Sequence, residues 1–326
     1  MRFCVINARF PPLSGVFFAC LLLVGCAAPQ SRALRTALPP LLPTAVELDE
    51  VAFFPQEKYQ CGPAALATTL TAAGIGATPE ELSPQVFLPA RRGSLQAEML
   101  AAARRHQAMA VTLPPKLDAL LLELAGGTPV IVLQNLALDW LPVWHYAVVV
   151  GYDLAAGEVV LRSGRIKRRV MSIPAFERTW ERGRFWSMVT VPPGVIPATV
   201  EASEYLQAAV AFEKVASAAS ARTAYAAATE KWPDDQLALL GLGNTAFSLQ
   251  DWQAAESAFR KLSELASDPV PALNNLALAL DAQGLLAQAL QVARRAASLG
   301  GPFAPQARNT LATLIEKAND AGDPDP

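Results

Sequence analysis

Cysteine and histidine are the scarce residues of this chain, with four and two respectively in 326 residues. Cys61 stands in PQEKYQCGPAALATTL, residues 55 to 70, directly before Gly62-Pro63 and an alanine-rich run. That run, Pro63 to Ala73, reads as a helix with proline in its first turn and Gly74 as its stop, which puts Cys61 at a helix N-terminus. A cysteine attacks only as thiolate, so its pKa must come down from about 8.5 into the range of about 3.5 to 7.5. Backbone N–H groups and the helix dipole supply part of that shift. A histidine supplies the rest, as general base and then general acid. His145 opens the apolar strand HYAVVVG, where an imidazole is costly unless it is used. His106, in AAARRHQ beside Arg104 and Arg105, reads instead as solvated helix surface.

The elements that must position these residues fall into two textures. From 51 to 191, helix signals come first: Thr78-Pro79-Glu80-Glu81 is a capping box, Ser94 can cap a helix running to about Gln107, and Lys116 to Ala125 gives another. Strand signals follow at 129–133, 145–151, 158–162, 168–173 and 185–191, short, β-branched or aromatic, and bounded by turn residues. Helices followed by an antiparallel sheet predict an α+β domain. Pro192-Pro193-Gly194 and Pro197 mark 192–200 as a linker. From 201 to 320 the chain is alanine-rich and helical, with a period of 34: Leu242-Gly243, Ala255 and Phe259 in one copy, then Leu276-Ala277, Ala289 and Ala293, and before them Ala208-Ala209, Ala221 and Tyr225. This pattern resembles the tetratricopeptide repeat, which predicts an all-α solenoid closed by a helix over 303–318. Such a solenoid offers a concave groove for a protein partner.

At the other end, Arg2 and Arg9 precede the apolar run Val16 to Val24, too short to be a permanent membrane span, and Leu23-Val24-Gly25-Cys26 resembles the lipobox of bacterial lipoproteins. The resemblance implies a signal peptide over 1–25, acylation of Cys26, and a tether over 26–50. Ala27 favours the outer membrane, facing the periplasm. Cys4 and Cys20 would leave with the signal and Cys26 would carry lipid, so Cys61 is expected to be the one free thiol of the mature chain. An unpaired thiol in an oxidising compartment is a candidate nucleophile. Residues 27 to 47 hold four prolines and no clear period, the texture of an extended tether. A net charge of −2 gives no sign of a nucleic-acid partner.

Gln56 followed by Cys61-Gly62-Pro63-Ala64, with Trp144-His145-Tyr146-Ala147-Val148-Val149-Val150-Gly151-Tyr152 downstream, resembles the bacteriocin-processing family of papain-like cysteine peptidases and its stand-alone relatives. The similarity spans roughly 51 to 191, including Gly93-Ser94 and a Phe176…Trp180 helix. It implies that Cys61 attacks a peptide carbonyl, His145 shuttles the proton, and Gln56 helps hold the oxyanion with the Cys61 N–H. A polarised donor at that position is worth about 3 kcal/mol in the transition state. No metal or organic cofactor is implied. Gln56 lies one residue closer to the cysteine than the family's glutamine, leaving Gln60 as an alternative. The family's third member, an Asp or Asn on the next strand, is replaced by Leu161-Arg162-Ser163-Gly164. Ser163 could orient the imidazole without supplying an anion. Asp153, in Tyr-Asp-Leu-Ala-Ala-Gly, reads rather as a turn residue, and Arg165, Lys167, Arg168 and Arg169 as a solvated hairpin. The expected protein is a membrane-tethered cysteine peptidase acting through a Cys–His dyad, with repeats recruiting a partner or substrate. A catalytically silent peptide-binding adaptor is the second reading, and acyl transfer to an amine a third.

Overall fold

The computed structural model describes residues 28–40, 42–56 and 59–320. The expected signal peptide and Cys26 lie outside them. Among the described residues no helix is long and apolar enough to cross a membrane.

The sheet is built from strands that alternate between two apolar faces, with register shifts at Val149/Gly151 and Leu161/Ser163. β4 (Met109–Thr112), β5 (Val130–Asn135), β6 (Trp144–Asp153), β7 (Glu158–Ser163), β8 (Ile166–Ser172) and β9 (Ser187–Val191) lie in the order β4-β9-β5-β6-β7-β8, every pair antiparallel, with β1 (Ala45–Glu47) added along β6. Ile131, Leu133, Tyr146, Val148, Val150 and Met188 face one side. Val130, Val132, Ala147, Val149, Leu161 and Val189 face the other. A period of two on a sheet covered on both faces produces this split. On the first face lie α2 (Cys61–Ala72), α3 (Pro79–Val86) and α4 (Gln96–Arg105); on the second lie α5 (Leu117–Ala125) and α6 (Ile173–Arg182). A further two-stranded piece pairs β2 (Phe87–Leu88) with β3 (Gly93–Ser94).

Thr78 and Glu81 form the expected capping box, each side chain accepting the other's backbone N–H. Ser94 does not cap α4. Leu95 occupies that position with no side-chain bond, because Ser94 is held in β3 beneath Gly62.

Residues expected as an extended tether are folded against the domain. α1 (Pro29–Thr36) is held at its start by the buried Glu177 of α6, which accepts the N–H of Gln30 at 2.8 Å, the N–H of Ser31 at 2.6 Å and the Ser31 hydroxyl. β1 then pairs with β6 where Gly151 lets it approach, since a Cβ there would lie 2.6 Å from the Val46 carbonyl oxygen. Both anchors are distant in sequence, which is why local composition does not reveal them.

After β9 come seven helices: α7 (Ala202–Glu213), α8 (Ala218–Lys231), α9 (Gln236–Ser248), α10 (Trp252–Leu265), α11 (Val270–Ala282), α12 (Leu286–Ser298) and α13 (Ala304–Asp320). The starts of α7, α9, α11 and α13 are 34 residues apart, and so are those of α8, α10 and α12. Successive helices pack on one another along the array. Gly243 sits where a Cβ would come within 2.4 Å of the Phe259 ring, so the period in small residues marks real close approach between helices. Segment 192–200 is not loose: Val191 and Val200 are buried, and the buried Glu123 of α5 accepts from the N–H groups of Ala198 and Thr199 and from the Thr199 hydroxyl. Tyr205, Leu206 and Phe212 of α7 share one core with Met109 and Val111 of β4.

Candidate active site

Cys61 is the first residue of α2, and it is the free cysteine among the described residues, partly exposed. Gly62 to Leu70 are all buried, so the helix runs through the domain as a central element and reaches the surface only at its two ends, Cys61 at the first and Thr71 and Ala72 at the second. Glycine after the cysteine is a packing requirement. A Cβ on Gly62 would lie 2.2 Å from the Ser94 hydroxyl oxygen, 2.6 Å from its Cβ and 3.2 Å from the Met99 sulfur. Gly62→Ala is expected to cost about 1–3 kcal/mol, read as a fall in thermal unfolding temperature.

Three backbone N–H groups, those of Tyr146, Gly62 and Cys61 itself, favour the thiolate of Cys61. The Tyr146 amide belongs to β6 and directly follows His145, so the helix N-terminus meets the sheet beside the histidine. Tyr146 also braces the junction: its hydroxyl donates to the Ser94 carbonyl at 3.3 Å, and its ring packs edge-on against Trp186 with centroids 5.8 Å apart. Sequence reasoning missed this tyrosine as part of the site, although His-Tyr was part of the pattern it used.

His145 is half-buried, and its Nε2 lies 2.9 Å from the hydroxyl of the buried Ser163. Val148 faces Arg162 across β6 and β7, so Ser163 is a diagonal neighbour of His145 on one face of the sheet. Gln56 is fastened to the turn after that serine: its backbone N–H donates to the Gly164 carbonyl at 3.0 Å, and its side-chain Oε1 accepts the Gly164 N–H at 3.0 Å. Gln60 is the N-cap of α2, and its Oε1 accepts from Ser83 at 3.0 Å. Cys61, His145, Ser163 and Gln56 thus gather at one end of the sheet.

Asp153 lies elsewhere. It accepts the Ala156 N–H at 2.9 Å in the β6–β7 turn, about 26 Å along β6 from His145 at roughly 3.3 Å per residue. His106 ends α4, with its Nε2 3.0 Å from the Gln85 amide nitrogen. Within the basic run, Arg168 pairs bidentately with Glu47 at 2.8 Å. Arg169 instead places its charge near His145. Among the described residues no cluster of three or more His, Cys, Asp or Glu side chains could hold a metal ion.

The electrostatics run against the expected lowering of the thiol pKa. Burial pushes the Cys61 thiol up, outweighing the three N–H groups. Burial, with Arg169 adding repulsion, takes His145 down to about 4. Neutral thiol and neutral imidazole are therefore the forms these shifts favour at pH 7. The backbone groups at the helix terminus do not offset desolvation of the thiol, and the hydroxyl beside the imidazole, that of Ser163, brings no charge. Alkylation of Cys61 by iodoacetamide is accordingly expected to be slow below pH 7 and to climb about tenfold per pH unit towards pH 9, following the thiolate fraction. A rate that stays level between pH 5 and 7 would show a preformed ion pair instead.

A helix N-terminal cysteine set against the start of an antiparallel strand bearing histidine defines a thiol site on an α+β scaffold. Residues 48–187 match the model of the family described as Peptidase_C39 like family, which supports a cysteine peptidase fold for the N-terminal domain. Two solved structures are similar over this region. One is a protein from Bacillus anthracis described as a C39-like peptidase, 18% identical, covering 46% of this chain and 98% of its own, with a TM-score of 0.39. The other is the peptidase domain of Streptococcus ComA, described as a bi-functional ABC transporter involved in quorum sensing, 17% identical, covering 44% and 99%, with a TM-score of 0.37. Among curated proteins none matches the chain.

Proposed function

We propose that the protein is a cysteine peptidase in which Cys61 is the nucleophile, His145 the general base, Ser163 its orienting partner, and Gln56 together with the Cys61 N–H the oxyanion donors. The observation that carries this reading is the junction itself: Cys61 at a helix N-terminus, its thiolate favoured by the amide that follows His145, while His145 is held by Ser163 at 2.9 Å. Attack on a peptide carbonyl forms the S–C bond as the sulfur's proton moves to His145. Return of that proton to the amine breaks the C–N bond and leaves a thioester on Cys61, which water hydrolyses. The chain is anchored through an acylated Cys26 in the outer membrane, facing the periplasm, and the helices from Ala202 onward, spaced at the period of tetratricopeptide repeats, recruit a protein partner or substrate.

A catalytically silent peptide-binding adaptor is the second reading. The serine at the third position, with a histidine of depressed pKa, favours it. Rapid acid quenching of a reaction with mixed peptides, followed by mass spectrometry, decides between them. A thioester on the Cys61 peptide, absent from Cys61→Ala, is the expected result. Peptide binding with neither adduct nor cleavage would leave the adaptor.

A further inference from the structure

The β5–β6 loop, directly before His145, is the most apolar exposed segment of the described residues. Leu138, Trp140, Leu141, Val143 and Trp144 are 56%, 78%, 62%, 52% and 54% exposed. A short loop that turns two tryptophans and three aliphatic side chains outward, with Asp139 as its one charge, is unusual on a water-facing surface.

The loop is also rigidly built. Asn135 is buried; its Oδ1 accepts the N–H groups of Ala137 at 3.1 Å and Val143 at 2.9 Å, and its Nδ2 donates to the Leu138 carbonyl at 3.3 Å. Leu136 donates to the Val143 carbonyl at 2.9 Å and Leu141 to that of Leu138 at 3.1 Å. Four of the loop's backbone N–H groups and two of its carbonyls are thus met from within while the apolar side chains project, which lowers the cost of moving the loop into a medium poor in water.

Its surroundings carry a sign. The β7–β8 hairpin reaches the same sheet end, tied there by the His145–Ser163 bond, and carries exposed Lys167 and Arg169. Beside the loop, Arg182 donates to the Asn135 carbonyl at 3.1 Å and Arg184 is exposed. Asp139 and Glu181 oppose them beside the loop, and the exposed Asp49 and Glu50 lie across Arg162 from Lys167. Tryptophan at the tip with arginine and lysine around it is the composition that seats a loop in the headgroup region of an anionic bilayer.

The start of the described chain agrees. α1 meets Glu177 with Gln30 and Ser31, and farther along, Leu34 and Leu38 line a groove with Leu154 and Ile173. α1 therefore runs antiparallel to α6, whose last residue Arg182 touches Asn135, so the N-terminal end of α1 is the end nearer the loop. Cys26 lies two residues before Ala28.

We propose that loop 136–144 inserts Trp140 and its neighbours into the surface of an anionic phospholipid bilayer, facing the Cys61–His145 end of the sheet to the membrane so that it acts on substrates at the lipid surface. This goes beyond the proposed peptidase activity and does not require it.

The test is quenching of tryptophan emission by brominated phospholipid in the full-length chain reconstituted into phosphatidylcholine vesicles with and without phosphatidylglycerol. Wild type is expected to be quenched, more strongly with phosphatidylglycerol, and Trp140→Phe/Trp144→Phe to lose roughly half of that quenching, since interfacial tryptophans lie within reach of the bromines. The circular dichroism spectrum of the variant confirms that it folds. Equal quenching in wild type and variant overturns the proposal. So does the absence of quenching together with a change in Trp140 emission on adding apolar peptides, which would make the loop a peptide-binding lip. The mass of the Cys26 peptide reports acylation separately, and thioester formation at Cys61 reports the peptidase, so failure of either is distinguishable from failure of the loop to insert.

Discussion

Ser163→Asp is expected to raise peptide hydrolysis by about 10²–10³-fold in kcat/KM, because orienting and charge-compensating a catalytic imidazole is worth up to about 10⁴-fold where a carboxylate does it. The Ser163 hydroxyl already lies 2.9 Å from Nε2 of His145, so a carboxylate at this position is within reach of the ring. An anion there favours the imidazolium, raising His145 from about 4, and a nearby imidazolium in turn favours the Cys61 thiolate that burial now opposes. Arg169, whose charge now lowers His145, would offset the burial of the new carboxylate. The pH–rate profile checks this: its acid limb should move up with the histidine pKa as the plateau rises. Ser163→Ala should lower the rate, leaving the ring without a partner at Nε2. A higher histidine pKa without a faster rate would show that sulfur and ring are not set for proton transfer.

Glu123→Ala is expected to cost about 3–5 kcal/mol, the scale for removing a charged group from a buried network and stranding its donors. The carboxyl group takes the N–H groups of Ala198 and Thr199 at 3.2 and 2.8 Å and the Thr199 hydroxyl at 2.7 Å, with 1% of the residue exposed. Those donors sit in the strap that leads from β9 into α7. Denaturant unfolding should show the loss, with the strap becoming cleavable by protease. Glu123→Gln keeps one acceptor oxygen and should recover part of the stability. Equal stability of all three proteins would mean that water serves the strap's amides as well as Glu123 does.

The sheet strands and most helices of the first domain were legible because each carries its own period or cap: the alternation of HYAVVVG, the Thr78 capping box, the stop at Gly126 after α5. β4 was not, since MAVT is too short to alternate visibly and is a strand only because it pairs with β9. α1 and β1 were hidden for a similar reason. Proline-rich composition argues for an extended chain, and what folds it is a carboxylate in α6 and a missing side chain at Gly151. At the site, residue types pointed to Cys61, His145, Gln56 and Ser163, and the fold gathers all four at one end of the sheet. Protonation states were not legible. They depend on how much water the fold removes from sulfur and ring, and the motif is silent on that.

The core shared by β4 and α7 makes the helical array an arm fixed to the sheet rather than a bead on a string. If the helices bind a ligand as proposed, its distance from the thiol would be set by the packing of the array rather than by the random reach of a flexible spacer. Length matching between docking segment and scissile bond would then act as a ruler, selecting among ligands that bind equally well.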